Sequence, residues 1–149
     1  MPRAWQAKNE PRALEATRGP GINVAGFMRH DGTALHAYTT QQSIISIDTI
    51  LFFNDFCQQL TQPTVVVLDN ASTHRSAAFT AQLPVWEAQG LRLFYLPPYS
   101  PELNRIEILW RCCKHQWLHL SAYKGLTFLR QELRKTLNRI GMECKIEFA

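Results

Sequence analysis

The sequence predicts an α/β fold, and three observations carry that reading. The run VVVLDN is a string of β-branched apolar residues that stops at a carboxylate. Such a run reads as a strand buried on both faces, as in a parallel sheet. A helical stretch, SIDTILFFNDFCQQL, separates it from an upstream hairpin pattern and so makes a crossover. A second helical stretch follows, and then another strand, LRLFYL.

Each element has its own signal. Residues 1–20 show no clear period and are punctuated by Pro2, Pro11, Gly19 and Pro20, with Gly21 next, so irregular structure is expected. Trp5 is out of place in so polar a context, which suggests a segment that packs against something. Ile22–Met28 and Thr33–Tyr38 flank His30-Asp31-Gly32. Asp-Gly between β-favouring runs predicts two antiparallel strands joined by a tight turn. Ile47, Ile50, Leu51, Phe53, Asn54, Cys57 and Leu60 recur at helical spacing, with Ser46 or Asp48 as the cap. Val65–Leu68 is the buried strand. Ala77–Gln89 reads as a helix disturbed by Pro84 and closed by Gly90. After LRLFYL, a helix is expected from Glu102 to about Leu120. A last one is expected from about Leu126 to Ile140, striped by Leu126, Leu129, Leu133, Leu137 and Ile140. Residues 141–149 read as a tail, and residues 1–140 as one domain.

Composition narrows the function classes. The apolar share of 46% allows a real core. No apolar run is long enough to span a bilayer, so no membrane partner is expected. The N-terminus has no apolar segment of the signal-peptide kind, which predicts a cytoplasmic protein. Four cysteines, two of them adjacent (Cys112, Cys113), form no disulfide framework. The net charge is +4 and uneven. Residues 41–100 carry two Lys/Arg against four Asp/Glu, whereas residues 101–149 carry nine against five. A partner with phosphates fits that excess, and so does a solvated helical face.

Two carboxylates stand where chemistry is expected. Asp69 ends a buried strand, and ligands of open α/β sheets bind beyond the carboxyl ends of the strands. Asn70, Ser72, Thr73 and His74 follow it directly. The plainer reading makes Asp69 a cap for the next helix. Glu107 follows a loop stiffened by Pro97, Pro98 and Pro101, in a helix where Asn104 and Arg111 share its side. Its plainer reading is a surface glutamate paired with Arg111. Two carboxylates on one sheet edge suit Mg²⁺, a hard ion that takes oxygen ligands. A pair of such ions cleaves phosphodiesters by activating water and stabilising the leaving oxygen. Two carboxylates are few for that task, and a third is normally wanted.

The segments VVVLDNASTHRS and LRLFYLPPYSPELNRIEILWRCCK carry a specific pattern. One strand ends Asp-Asn-x-x-x-His. The next runs into Leu-Pro-Pro-Tyr-Ser-Pro-Glu-Leu-Asn-x-Ile-Glu-x-x-Trp. This resembles the catalytic core of DDE transposases of the mariner-like insertion-sequence group, a DDE superfamily endonuclease domain, over roughly residues 5–140. The resemblance implies a ribonuclease H-like fold, a mixed sheet with helices on both faces. It implies an Asp-Asp-Glu triad that binds Mg²⁺ or Mn²⁺ and carries out DNA strand cleavage and transfer. Asp69 matches the second acid and Glu107 the third, 38 residues apart. Asn70, His74 and Asn104 match supporting positions. The implied partners are DNA (transposon ends and target), an upstream transposase polypeptide and a second copy in a homo-dimer.

The first acid has no match. In the family it lies on the first, central strand, before the segment matched by Trp5. Asp31 falls in the hairpin turn and Asp48 at a helix start, so neither takes its place. The chain is therefore expected to be the C-terminal part of a transposase, inactive alone and binding metal weakly. A relic, a mis-called start and one frame of a split gene all fit. The alternative function is a non-catalytic remnant with residual DNA binding. Without the central strand, the Ile22–Met28 and Val65–Leu68 strands lose a shared neighbour, and the fragment either pairs them directly or is marginally stable.

The remaining features weigh less. Cys112, Cys113, His115 and His119 cluster on one predicted helix, with the two histidines at zinc-ligand spacing, but adjacent cysteines point apart. Buried thiols and half-exposed imidazoles are the better reading. Trp86, Trp110 and Trp117 are expected in the core. Arg105, Arg111, Lys114 and Lys124 follow the Glu107 loop and are the candidates for phosphate contacts.

Overall fold

The computed structural model describes residues 19–146; the Trp5 segment lies outside them. The described chain forms two compact units. One gathers Asn23–Phe27 and His36–Glu107; the other gathers 19–22, Met28–Leu35 and 108–146. The architecture is mixed α/β, with two two-stranded sheets. Strands β1 (Asn23–Met28) and β2 (Leu35–Thr40) form one sheet, and β3 (Thr64–Leu68) and β4 (Leu91–Tyr95) the other. Among the described residues β1 and β3 do not pair with each other.

In the first unit, helix α1 (Ser46–Gln58) begins after Ile45. The cap residue is Ile45, not Ser46 or Asp48. Asp48 still supplies the bond, its carboxylate accepting from the Ile45 N–H at 3.0 Å. The helix buries Thr49, Ile50, Phe53 and Cys57. Ile47 and Leu51, expected in the same stripe, are 54% and 60% exposed. They lie about 60–100° round the helix from Ile50, on its flank. Phe27 of β1 packs on this helix, its ring 4.6–4.7 Å from those of Phe52, Phe53 and Phe56.

Strands β3 and β4 run parallel, in register from Thr64↔Leu91 to Leu68↔Tyr95. Between them come a 3₁₀ turn (Ser72–Arg75) and two short helices, α2 (Ala77–Thr80) and α3 (Leu83–Ala88). The single helix expected over Ala77–Gln89 is thus divided. Pro84 cannot donate to a preceding turn, so the helix restarts with Pro84 in its first turn. Ser76 caps α2, its hydroxyl accepting from Phe79 N–H at 3.2 Å. Gly90 takes φ +89°, which a side chain would resist, and lets the chain turn into β4.

The core of this unit is Ile50, Phe53, Cys57, Val66, Leu68, Phe79, Trp86 and Leu91. The Phe53 and Phe79 rings meet edge to face at 5.1 Å. Trp86 is fully buried and donates its indole N–H to Asn54 Oδ1 at 2.7 Å. That bond satisfies the polar atom that burial would otherwise leave unpaired.

Strand β3 is not buried on both faces. Val66 and Leu68 face the core, while Val65 and Val67 are 62% and 52% exposed, as is Phe94 of β4 at 59%. The helices cover one face of the sheet, and among the described residues nothing covers the other. Alternation with period two then sends every second side chain to solvent.

In the second unit, the tip of the β1–β2 connection closes through Arg29 N–H to Ala34 O at 2.9 Å. Asp31 Oδ1 accepts from both the N–H and the hydroxyl of Thr33, which holds its carboxyl below the usual range. The connection spans residues 29–34 rather than the tight two-residue Asp-Gly turn expected: Gly32 takes φ +74° and donates to Arg29 O at 2.8 Å, so it ends a turn instead of sitting at its centre. The helix expected from Glu102 to about Leu120 starts in the first unit, which runs to Glu107, and is broken at both ends. A 3₁₀ turn (Pro101–Leu103) is separated from α4 (Arg105–Cys112) by Asn104, whose ψ of 85° is not helical. Beyond Cys112 the helix widens into a π turn (Cys113–Trp117), closed by Leu118 N–H to Cys113 O at 3.0 Å. Helix α5 (Leu126–Arg139) buries Leu133 and Thr136. Residues beyond it fold back, with Ile140 bridging Cys144 and both buried. Gly141, at φ +84°, sits so close to Thr33 that a Cβ would collide with its carbonyl oxygen. Cys113 is buried, which, with Cys144 and Cys112 adding, pushes its thiol up to about 12.

Candidate functional site

Parallel pairing brings the carboxyl ends of β3 and β4 side by side. The ladder ends at Leu68↔Tyr95, and Leu96 N–H continues it by donating to Leu68 O at 2.9 Å. Asp69 is the next residue after β3. Its Oδ1 accepts from Ala71 N–H at 3.0 Å, closing an Asx turn. The same oxygen lies 3.1 Å from His74 Nδ1, and that nitrogen is 3.2 Å from the Asp69 carbonyl. Asp69 is therefore both a turn-former and an open carboxylate, 49% exposed, with no bond on Oδ2 among the described residues. Asp69 does not cap the turn that follows: the cap position of Ser72–Arg75 is Ala71, which has no side-chain cap bond.

Asn70 joins the two loops. Its amide donates to Leu96 O, 26 residues away, while its Oδ1 accepts from Arg75 Nε at 3.1 Å and from Nη2 at 2.5 Å. Tyr95 adds a second tie, its hydroxyl donating to His74 O at 3.0 Å. Burial pushes the Tyr95 hydroxyl up. The His74 ring also rests against Phe79, 5.7 Å between centroids.

Glu107 is exposed in the first turn of α4, where its N–H donates to Asn104 O at 3.0 Å. A carboxylate there is favoured by the helix dipole. Among the described residues it makes no ion pair, so the expected pairing with Arg111 is not formed. Asn104 contributes its carbonyl rather than its side chain. The loop into this helix is held by Pro97, Pro98 and Pro101. At its tip Tyr99 is fully exposed and takes φ +58°, the only positive φ at a non-glycine among the described residues. That conformation costs about 1–2 kcal/mol.

Of the residues singled out from the sequence, Asp69, Asn70 and His74 form one polar web. Glu107, Asn104 and Arg105 stand on the adjacent chain segment after β4. Arg111, Lys114 and Lys124 are exposed and belong to the second unit. Cys112, Cys113, His115 and His119 do not share a helix. Cys112 ends α4, Cys113 and His115 lie in the π turn, and His119 accepts from Ser121 N–H at 3.2 Å to cap the 3₁₀ turn at Leu120–Lys124. Three residues escape the sequence reading: Arg75, Tyr95 and Tyr99. Only Tyr99 had a local signal, a bulky side chain set between prolines. Among the described residues no three His, Cys, Asp or Glu side chains come together as a metal set. Among them, too, no helix is long and apolar enough to cross a membrane.

The family described as DDE superfamily endonuclease matches residues 1–130. The chain belongs to that superfamily. Endonucleases of this superfamily generally use divalent metal ions. A relative, the uncharacterized protein y4pE/y4sA of Sinorhizobium fredii (strain NBRC 101917 / NGR234), is 37% identical over 60 residues, 40% of this chain and 40% of its own. A solved structure, the simian T-cell lymphotropic virus intasome in complex with PP2A regulatory subunit B56 gamma, is similar at a TM-score of 0.54 and 15% identity. That match covers 86% of this chain and 49% of the other, so the chain spans about half the length of the proteins it resembles. The likeness establishes the fold as ribonuclease H-like.

Proposed function

We propose that this chain is part of the catalytic domain of a DNA transposase of the mariner-like insertion-sequence group. Asp69 and Glu107 are its second and third acids. The observation that carries the reading is the tie between the two loops. Asn70 donates across to Leu96, so the segment holding Asp69 and the loop leading to Glu107 leave the sheet together. A bound Mg²⁺ or Mn²⁺ would supply Lewis acidity for phosphodiester cleavage. The chain's own residues prepare the edge. His74 fixes one oxygen of Asp69 and leaves the other open. Arg75 fixes Asn70. Exposed Arg105, Arg111, Lys114 and Lys124 meet phosphates of transposon ends and target.

Asp69 and Glu107 match two acids of the triad, and in this reading the first is supplied by an upstream transposase polypeptide. The 149-residue chain alone then binds DNA in the cytoplasm without cutting it. The test is a supercoiled-plasmid assay with Mg²⁺, paired with binding measured against salt. The expected result is binding that weakens steeply with salt and no metal-dependent nick. A Mg²⁺-dependent nick abolished by Asp69→Asn would overturn the claim of inactivity. Absence of DNA binding at low salt would overturn the DNA reading itself.

A further inference from the structure

We infer that Tyr99 is a stacking platform for an unpaired DNA base beside the Asp69 edge; this rests on the reading of the chain as a DNA-acting domain. The first observation is exposure. Aromatic side chains usually bury a large area, yet Tyr99 is fully exposed. Among the described residues its ring meets no other ring and its hydroxyl has no hydrogen-bond partner. Packing therefore does not explain it.

The second observation is the backbone. Tyr99 holds φ +58°, which a bulky residue rarely adopts. Glycine would take that conformation freely. Strain of this kind persists only where its surroundings enforce it, and it gathers at ligand-binding sites. Here the enforcement is visible. Pro98 precedes the residue and Pro101 follows two positions on. Ser100 O accepts from Leu103 N–H at 3.2 Å, and Pro101 O from Asn104 N–H at 3.0 Å. The loop's root is fixed by Leu96 N–H to Leu68 O and by Asn70 to Leu96 O. A rigid loop thus presents one aromatic ring to solvent.

The third observation is position. Tyr99 lies on the segment that joins β4 to the helix of Glu107. A base that leaves its stack next to a cleaved backbone needs a face to rest on. An aromatic face provides one without reading sequence, because every base has a π-face. Rigidity helps, since a preset ring loses little freedom on binding.

The test uses the 149-residue chain and two DNA probes of equal length: a forked oligonucleotide with an unpaired 2-aminopurine at the junction, and a blunt duplex. Wild type and Tyr99→Phe should bind the fork alike and quench the probe. Tyr99→Ala should weaken fork binding about tenfold and lose the quench, while duplex binding changes less than twofold. Thermal unfolding should place Tyr99→Ala and Tyr99→Gly at or above the wild type, since neither removes packing. Wild-type affinity for the fork in Tyr99→Ala, with the quench retained, overturns the stacking role and leaves the DNA reading standing. Unchanged fork binding with altered self-association in sedimentation makes Tyr99 a protein contact, which also overturns it. Failure of the wild type to bind either probe removes the DNA reading and this inference together.

Discussion

The loop after β3 and the loop after β4 leave the sheet as neighbours, but they are held in opposite ways. The first is held by side chains. Asp69, Asn70, His74, Arg75 and Ser76 each bond to backbone or to one another, and Tyr95 ties in from β4. The second is held mostly by covalent stiffness. Three prolines set its path, and the conspicuous side chains, Tyr99 and Glu107, point to solvent. The difference suits two tasks. A web of hydrogen bonds fixes the carboxylate of Asp69 in one orientation. Prolines leave the side chains of the second loop free for a ligand while the backbone stays put.

If this contrast is real, truncating a side chain in the first loop should be costly and truncating one in the second cheap. Asn70→Ala is expected to have the largest effect. It strips Leu96 O and Arg75 of their partner at once, and such a loss costs about 1–3 kcal/mol. Urea unfolding measures it. A change below about 0.5 kcal/mol would mean that water replaces Asn70 without penalty, and the web would not be what holds the loop.

The extent to which the site was legible in sequence follows the same division. Asp69 and Glu107 stand at positions that local signals mark: the end of an apolar β-branched run, and the helix after a proline-rich loop. The reversal between β1 and β2 was legible because Asp-Gly separates two β-favouring runs, but its length was not, since residues 29–34 form the connection instead of a two-residue turn. Asn70 was not, because its partner Leu96 is 26 residues away and only parallel pairing brings them together. The exposed face of β3 was also illegible. VVVL has the composition of a doubly buried strand, but burial depends on what covers it. The break at Asn104 escaped for a further reason. Asparagine is tolerated within helices, so its non-helical ψ is decided by the prolines and 3₁₀ turn before it. The placement of Arg111, Lys114 and Lys124 in the second unit follows from contacts that no local pattern encodes.

For the second loop, Pro101→Ala is expected to lose about 0.4–1 kcal/mol. Alanine can adopt the same φ at the start of the 3₁₀ turn, so no native contact disappears. The loss arises in the unfolded chain, which gains freedom. Denaturant midpoints of the two variants should therefore rank Asn70→Ala below Pro101→Ala below wild type. The reverse order would show that the stiffness, not the web, dominates the edge.

The smallest expected signal is a slope, and it tests the tie between the loops through Tyr95. Burial raises the folded hydroxyl above its unfolded value of about 10. Between those two values the folded chain holds one proton more than the unfolded chain. Stability is then complete below about pH 10 and falls as pH rises through the folded value. The hydrogen bond to His74 O needs the same proton, so ionisation also releases the Asp69 loop. Tyr123, Cys57 and Cys113 are raised as well and steepen the alkaline limb. They are present in both proteins, so they cancel in a comparison with Tyr95→Phe. That variant should start lower at neutral pH, for want of the bond, and lose stability less steeply between about pH 9 and 11. Parallel curves would mean that Tyr95 titrates alike in both states and that its hydroxyl does not tie β4 to the Asp69 loop.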